Sequence, residues 1–284
     1  MNSSKRSIVQ RTFIAYFKHK LILCYFTIFI GYILISISVK MGWLAASWYT
    51  EVGRAHEAPN WINYFGTDIL GRSVLAKVLH GTEVAMSVGL TVALFSTIIG
   101  VVCGILAGYF GGIVDGCIVW CYTVLAAIPT MMLLMVIPFM LGKGLKSMYI
   151  ALIVAEWTEM CRLVRGEVMR HKNREYIQAA SAIGANTCRK LFIHILPNIL
   201  PLIIVQFSLI FQNSIKYEVI LSYLGVGVQH KPSWGIMISD AKTELLRGVW
   251  WEFCFTTIFM FVLLLAFNML TDALRDALDP KLEE

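Results

Sequence analysis

Five polar side chains interrupt one otherwise apolar run: Gln206, Gln212, Asn213, Lys216 and Glu218 lie within residues 199–221. Three amides, a cation and a carboxylate in so short a stretch can bind a polar solute or carry charge. In a membrane they require a bundle interior or a water-filled path. Lys216 and Glu218 are two apart, so they point to different faces and each needs a partner elsewhere, on this chain or another. Seats at headgroup level, reached by snorkelling, satisfy the same two residues. A second polar group, Glu156, Glu159 and Arg162, falls in the run before it. Glu159 and Arg162 are spaced to meet on one helix face, as a structural pair. The third, residues 175–197, is a polar island with helical patterning between long apolar stretches. Other chemistries lack their residues. No His-Glu-x-x-His, no Gly-x-Ser-x-Gly and no phosphate-cradling Gly-x-x-x-x-Gly-Lys-Ser/Thr occurs. The six histidines are scattered, and none of the seven cysteines forms a Cys-x-x-Cys pair, so the cysteines read as small apolar fillers.

The elements that position these groups are membrane helices. With 58% hydrophobic residues, 15% charged and a mean hydropathy of +0.70, the chain is far more apolar than a soluble core requires. At about 20 residues per crossing there is room for roughly six spans and no soluble catalytic domain. The spans read as residues 21–39, 84–110, 117–140, 148–164, 199–221 and 250–270, an all-α membrane protein of six helices. Lys5, Arg6, Arg11, Lys18 and Lys20 precede the first span with no acidic residue among them. A basic head before an apolar run also describes a signal peptide, but this run exceeds a typical signal core and is expected to stay as a helix. Residues 1–20, 162–196 and 272–284 carry 14 Lys and Arg against 9 on the opposite side, which places both termini in the cytoplasm. The net charge of +6 flanks the spans without an aromatic-interleaved patch, so anionic lipid rather than nucleic acid is its counterpart.

Ser96, Gly100, Gly104 and Gly108 recur every fourth residue on the second span and make a ridge for close helix contact. Internal contact is the expected use; a seam against another subunit would have the same spacing. Pro129 and Pro138 are expected to bend the third span. Within the island, residues 175–183 read as a short helix with Tyr176, Ile177, Ala180 and Ile183 on its apolar side. Gly184 permits the turn, and Asn186 or Thr187 caps a second helix in which Leu191, Phe192 and Ile195 lead to Pro197. Ala179, Ala180, Ala182 and Ala185 keep this elbow slim, and Arg189 and Lys190 add charge. It reads as a docking element.

Gln178-Ala179-Ala180, Gly184 and Ile195-Leu196-Pro197 resemble the EAA loop of ABC importer membrane subunits, with Gln178 where the family usually has Glu. From about Phe65 onward the chain is similar to the C-type permease subunit of the dipeptide and oligopeptide (peptide/nickel) importers. The likeness rests on residues 65–72 (Phe-Gly-Thr-Asp-Ile-Leu-Gly-Arg), 107–112, 162–165, 222–227, Trp234-Gly235 and the run from Ala266 to Pro280. The resemblance implies a type I ABC importer transmembrane domain with a cytoplasmic EAA coupling loop, in the bacterial cytoplasmic (inner) membrane. Residues 1–83 would hold the N-terminus, first helix and periplasmic segment, 84–271 a five-helix permease core with its EAA loop at 175–197, and 272–284 a cytoplasmic tail. It implies a second homologous permease subunit, two ATP-binding subunits that carry ATP and Mg, and an extracytoplasmic substrate-binding protein. The chain itself would hold no cofactor or metal and catalyse nothing. Gln178, Ala179, Ala180, Gly184, Ala185, Arg189, Lys190 and Pro197 would contact the ATPases, and Gln212, Asn213, Lys216 and Glu218 are candidates for the substrate pathway. Peptides are the expected cargo, with a nickel complex as the alternative. A proton-coupled secondary transporter using Glu156 or Glu218 is the rival of another class, and no inverted repeat supports it. The aromatics Trp43, Trp48, Tyr49, Trp61 and Tyr64 are expected at the membrane interface. With residues 222–247 they offer an alternative landing surface for the binding protein, testable at Trp61 and Trp234.

Overall fold

A computed structural model of the chain describes residues 20–278. Lys5, Arg6, Arg11 and Lys18 of the basic head, and residues 279–284 of the tail, lie outside the described residues. Among the described residues nine helices follow one another: α1 (Lys20–Lys40), α2 (Val74–Phe110), α3 (Gly112–Ala127), α4 (Thr130–Leu141), α5 (Leu145–Lys172), α6 (Glu175–Ala182), α7 (Thr187–Tyr223), α8 (Trp234–Leu245) and α9 (Trp251–Leu278). Among the described residues the extended structure is confined to two isolated bridges, Glu51 with Arg72 and Thr67 with Ser73.

Helices α1, α2, α7 and α9 are each long and apolar enough to cross a membrane. The expected third span is instead a broken pair: α3 and α4 meet at 92°. Pro129 is the cause, because the residue before a proline is driven out of the helical region, and Ile128 is extended at φ −87° and ψ 129°. Pro138 lies within α4. Helix α5 has the length of a span at 28 residues, but its charges deny it the apolar window of the other four. It resolves the conflict by burial, since Glu156 faces protein. Two further departures are α2, which begins ten residues before the expected span, and α8, which occupies an expected loop. The Ser233 hydroxyl caps α8 by accepting from the amide of Ile236 at 3.4 Å.

The chain divides into two compact units. In the first, comprising described residues 20–89, 143–145 and 215–278, α1 runs along α9. The Tyr32 hydroxyl donates to the carbonyl of Phe259 at 2.8 Å, and the rings of Phe29 and Phe267 lie 4.9 Å apart. In the second, comprising residues 90–142 and 146–214, the small-residue ridge of α2 is pressed against α5. A Cβ on Gly100 would stand 2.6 Å from that of Met160, one on Gly104 2.8 Å from the Cys161 carbonyl, and one on Gly108 2.7 Å from that of Arg165. The ridge therefore serves contact within this chain. Arg165 also clamps Asp115 of α3 with two hydrogen bonds, at 2.5 and 2.7 Å, and Lys172 donates to the carbonyl of Tyr109 at 2.6 Å. Arg162 lies over the Tyr122 ring at 5.5 Å, and no ion pair with Glu159 forms among the described residues.

Candidate functional site

The elbow forms where Gly184 stops α6. Gly184 adopts φ +81°, its amide reaches the carbonyl of Ser181 at 3.0 Å, and the Ala185 amide reaches that of Ala180 at 2.9 Å. This is a Schellman close, which satisfies two carbonyls the helix end would leave open. Asn186 provides the next cap: its side-chain oxygen accepts from the Arg189 amide at 2.8 Å, so Asn186, not Thr187, starts α7. Lys190 donates to the Ser181 hydroxyl at 3.0 Å across the bend, and Ser181 donates to the Ile177 carbonyl at 2.8 Å. The opening of α7 is π-helical over Lys190–Ile195, directly before Pro197. A proline ring collides with the carbonyl four residues back, and a wider turn there relieves it.

Ile177, Ala180, Leu191 and Ile195 face inward and fasten the elbow to its own unit. Ile183 does not join them as expected; it is 85% exposed, and Phe192 and Tyr176 also face out. One residue of α-helical drift explains this, since Ile183 sits at the cap where the chain already leaves the helix. Gln178, Ala179, Gly184 and Arg189 are exposed, Ala185 and Lys190 are half-buried, and Pro197 is exposed. Gln178 donates to the carbonyl of Asn173 at 3.3 Å, and the Tyr176 hydroxyl meets Nδ1 of His171 at 2.7 Å. The result is a hydrogen-bonded corner whose exposed side chains include the apolar Ile183 and Phe192.

The polar residues of α7 separate. Gln212 is buried, Asn213 half-buried, Lys216 exposed and Glu218 buried completely. Lys216 and Glu218 thus take different faces, as their spacing requires. Glu218 accepts from the Ser222 hydroxyl at 2.7 Å, and the Ser222 oxygen in turn accepts from the Val228 amide at 3.3 Å.

A charged network unread in the sequence lies where α2 and α9 begin. Lys77 donates to Asp68 at 3.1 Å and to Glu252 at 2.5 Å, with all three side chains withdrawn from solvent. Asp68 also accepts from the Arg72 side chain at 2.8 Å and from the amides of Leu70 and Arg72. Burial alone would raise the Asp68 carboxyl, but the charge of Lys77 and the hydrogen bonds from Arg72 and Lys77 hold it below its ordinary range. Nearby, Glu244 stands 3.8 Å from His56, and burial keeps its carboxyl above the usual range. Trp251 donates to the Thr67 carbonyl at 2.9 Å, closing the same corner. Trp234, read as a surface position, is wholly buried: its indole donates to the Val78 carbonyl at 3.1 Å, and Gly81 leaves room for the ring. Lys77 precedes the span expected at residues 84–110 and joins a helix only because α2 begins at Val74. No group of three or more metal ligands gathers among the described residues.

The family model described as binding-protein-dependent transport system inner membrane component matches residues 100–284. The dipeptide transport system permease protein DppC of Bacillus subtilis (strain 168) is 40% identical, covering 82% of this chain and 72% of the relative. The oligopeptide transport system permease protein OppC of the same organism is 34% identical over 83% and 77%, and DppC of Escherichia coli (strain K12) 38% over 89% and 87%. Among solved structures, the MetNI methionine ABC transporter in inward facing conformations shares the fold, with a TM-score of 0.55 at 16% identity over 70% of this chain and 97% of that one. Four helices long and apolar enough to cross a membrane, a bent pair that makes a fifth candidate and these likenesses agree: the chain belongs to the binding-protein-dependent transport system inner membrane components, as a permease subunit with the type I ABC importer fold, akin to those named for dipeptides and oligopeptides.

Proposed function

We propose that this subunit forms half of the translocation path of an ATP-driven importer of di- and oligopeptides, and that the elbow at residues 175–197 receives the force of ATP binding. The observation that carries the coupling role is the corner itself. A Schellman turn at Gly184, an Asn186 cap and the Lys190–Ser181 bond make it stiff, while Ile183 points its side chain into solvent. A stiff corner transmits displacement, and the exposed Ile183 and Arg189 offer contact to a partner. The cargo follows the dipeptide and oligopeptide permeases to which the chain is similar. The partners are a second related permease, two ATPase subunits holding Mg-ATP below the elbow, and an external binding protein; hydrolysis resides on the ATPases. Both termini and the elbow face the cytoplasm, as the excess of Lys and Arg on that side favours. Gln212, Asn213, Lys216 and Glu218 contribute polar groups to the path.

The test is co-purification of the ATPase subunits with this chain, and its loss when residues 175–196 are deleted while the permease pair stays assembled. Retention of the ATPases by the deletion variant would remove the elbow from the interface. Uptake of labelled di- and tripeptides by the reconstituted complex tests the cargo, and a complex that moves no peptide overturns that part.

A further inference from the structure

Residues 58–67 form a ten-residue stretch without a charge, Ala-Pro-Asn-Trp-Ile-Asn-Tyr-Phe-Gly-Thr. At its centre Trp61 is 92% and Ile62 85% exposed, with Tyr64 exposed beside them. Two adjacent large apolar side chains held this far out have no role in folding the chain. Their backbone, however, is closed. The Asn60 side-chain oxygen accepts from the amides of Ile62 at 2.8 Å and Asn63 at 2.7 Å, the Asn60 amide donates to the Asn63 carbonyl at 3.0 Å, and the Gly66 amide reaches the same carbonyl at 2.9 Å. A turn that closes the amides of Asn60, Ile62, Asn63 and Gly66 on itself and bears no charge lowers the cost of entering a poorly hydrated layer, where an unsatisfied group is costly.

The depth of the turn comes from its neighbour. Phe65 stacks on Phe255 at 4.0 Å and meets Phe259 edge-on at 5.8 Å. These are the fifth and ninth residues of α9, about 6 and 12 Å along its axis at 1.5 Å per residue. Helix α1 gives the same level: Tyr32, bonded to the Phe259 carbonyl, stands eight residues, about 12 Å, before the helix end at Lys40. The segment therefore folds back alongside the spans instead of standing above them. Along α1, which packs on α9, Leu34 and Ile37 are likewise exposed apolar side chains toward the Lys40 end.

We propose that Trp61 and Ile62 form a lipid anchor, inserted into the leaflet at the face where α1 ends and α9 begins. Tryptophan at a membrane interface buries an apolar ring while its N–H stays in the headgroup layer, and Ile62 adds an aliphatic foot. This rests on the membrane-spanning reading above, and with the orientation proposed there the leaflet is the outer one. The experiment places p-benzoylphenylalanine at position 61 in the complete importer in membrane vesicles, with a second probe at the exposed Leu246, on the turn between α8 and α9. Irradiation is expected to give a phospholipid adduct at position 61, detected by mass, and none at 246. A cross-link from 61 to the binding protein or to another subunit in place of lipid overturns the anchor, as does the absence of any lipid adduct. The importer reading fails separately: a complex that takes up peptide without an adduct refutes the anchor alone, and an adduct in a complex without uptake supports the anchor and refutes the cargo.

Discussion

Gly184 offers the sharpest perturbation of the elbow, because the structure separates its two constraints. Nothing lies within 4 Å of a Cβ built there, so no neighbour forbids a side chain; the constraint is φ +81° alone. An L-residue in that region costs about 1–2 kcal/mol, and Asn, whose short amide tolerates it, costs less. Proline is different in kind. Its ring fixes φ near −65°, and it has no N–H to donate to Ser181, so the turn is lost at about 3 kcal/mol or more. An increment of 1–2 kcal/mol shifts a two-state equilibrium roughly 5- to 30-fold, leaving an alanine elbow weakened and a proline elbow unformed. The assay is peptide uptake and substrate-stimulated ATP hydrolysis in one preparation of reconstituted complex. The expected order is Gly, Asn, Ala, Pro: Gly184→Asn near the parent, Gly184→Ala reduced, and Gly184→Pro without stimulation. Stimulated hydrolysis at the parental rate in Gly184→Pro would refute the coupling role. Loss of stimulation in Gly184→Ala equal to that in Gly184→Pro would show that the missing Cβ, and not the dihedral, is what position 184 supplies.

Four further sets of substitutions bear on the seam, the charged network, Glu244 and Gln212. Gly104→Ala puts a Cβ 2.8 Å from the Cys161 carbonyl where ordinary contact begins at 3.4 Å, so α2 and α5 must part by about 0.6 Å; overpacking of this kind costs about 1–3 kcal/mol. Adding Gly108→Ala should cost less than the sum of the singles, because the first parting opens the second site, and additive losses in thermal unfolding would contradict a shared seam. Lys77→Met leaves Glu252 buried without a cation and Asp68 with Arg72 alone, a loss of about 3–5 kcal/mol; adding Glu252→Gln should restore part of the melting temperature, and no restoration would deny that the unpaired Glu252 charge is what the loss reports. Glu244 has a folded pKa above its unfolded value, so its penalty is absent below about pH 4.5 and grows as the pH rises; Glu244→Gln should raise the melting temperature at pH 7 and leave it unchanged at pH 4, and equal shifts at both would refute the sign. Gln212→Leu removes a buried amide nitrogen that has no partner among the described residues, so it should stabilise the subunit while lowering peptide uptake; stabilisation with full uptake would take Gln212 out of the path.

Much of the elbow was legible because its signals are local. A glycine at the helix end and an asparagine two residues later each act through bonds within a few positions, and periodicity covers the rest. The outward turn of Ile183 was not, since a period read through a helix end continues past the point where the chain departs. The Pro129 break was legible for the same local reason; its 92° angle was not, because proline sets where a helix bends and neighbouring contacts set how far. The network of Lys77 with Glu252 joins residues 175 positions apart, and one sequence carries no sign of such a pairing. Trp234 is the instructive misreading. Interfacial placement is the common use of tryptophan near a span, but the opposing Gly81 made a socket for it, and a socket is visible only once both walls are built.

The polar residues of α7 illustrate how burial and satisfaction together assign a role where composition cannot. Glu218 is wholly buried, yet Ser222 donates to it, and through Ser222 the amide of Val228 is held as well. Its carboxyl thus has work in closing the chain after α7, and that work would persist with no substrate present. Lys216 is on an exposed face, where a long side chain can reach water or headgroups at little expense. Gln212 is the contrary case: buried, with an amide nitrogen that has no acceptor among the described residues, a condition that costs about 1–3 kcal/mol if it persists. A donor kept waiting inside a membrane subunit is matched by what a peptide carries at every residue, a carbonyl acceptor. Gln212 therefore keeps a donor that the chain itself leaves open, and Gln212→Leu tests whether cargo completes it.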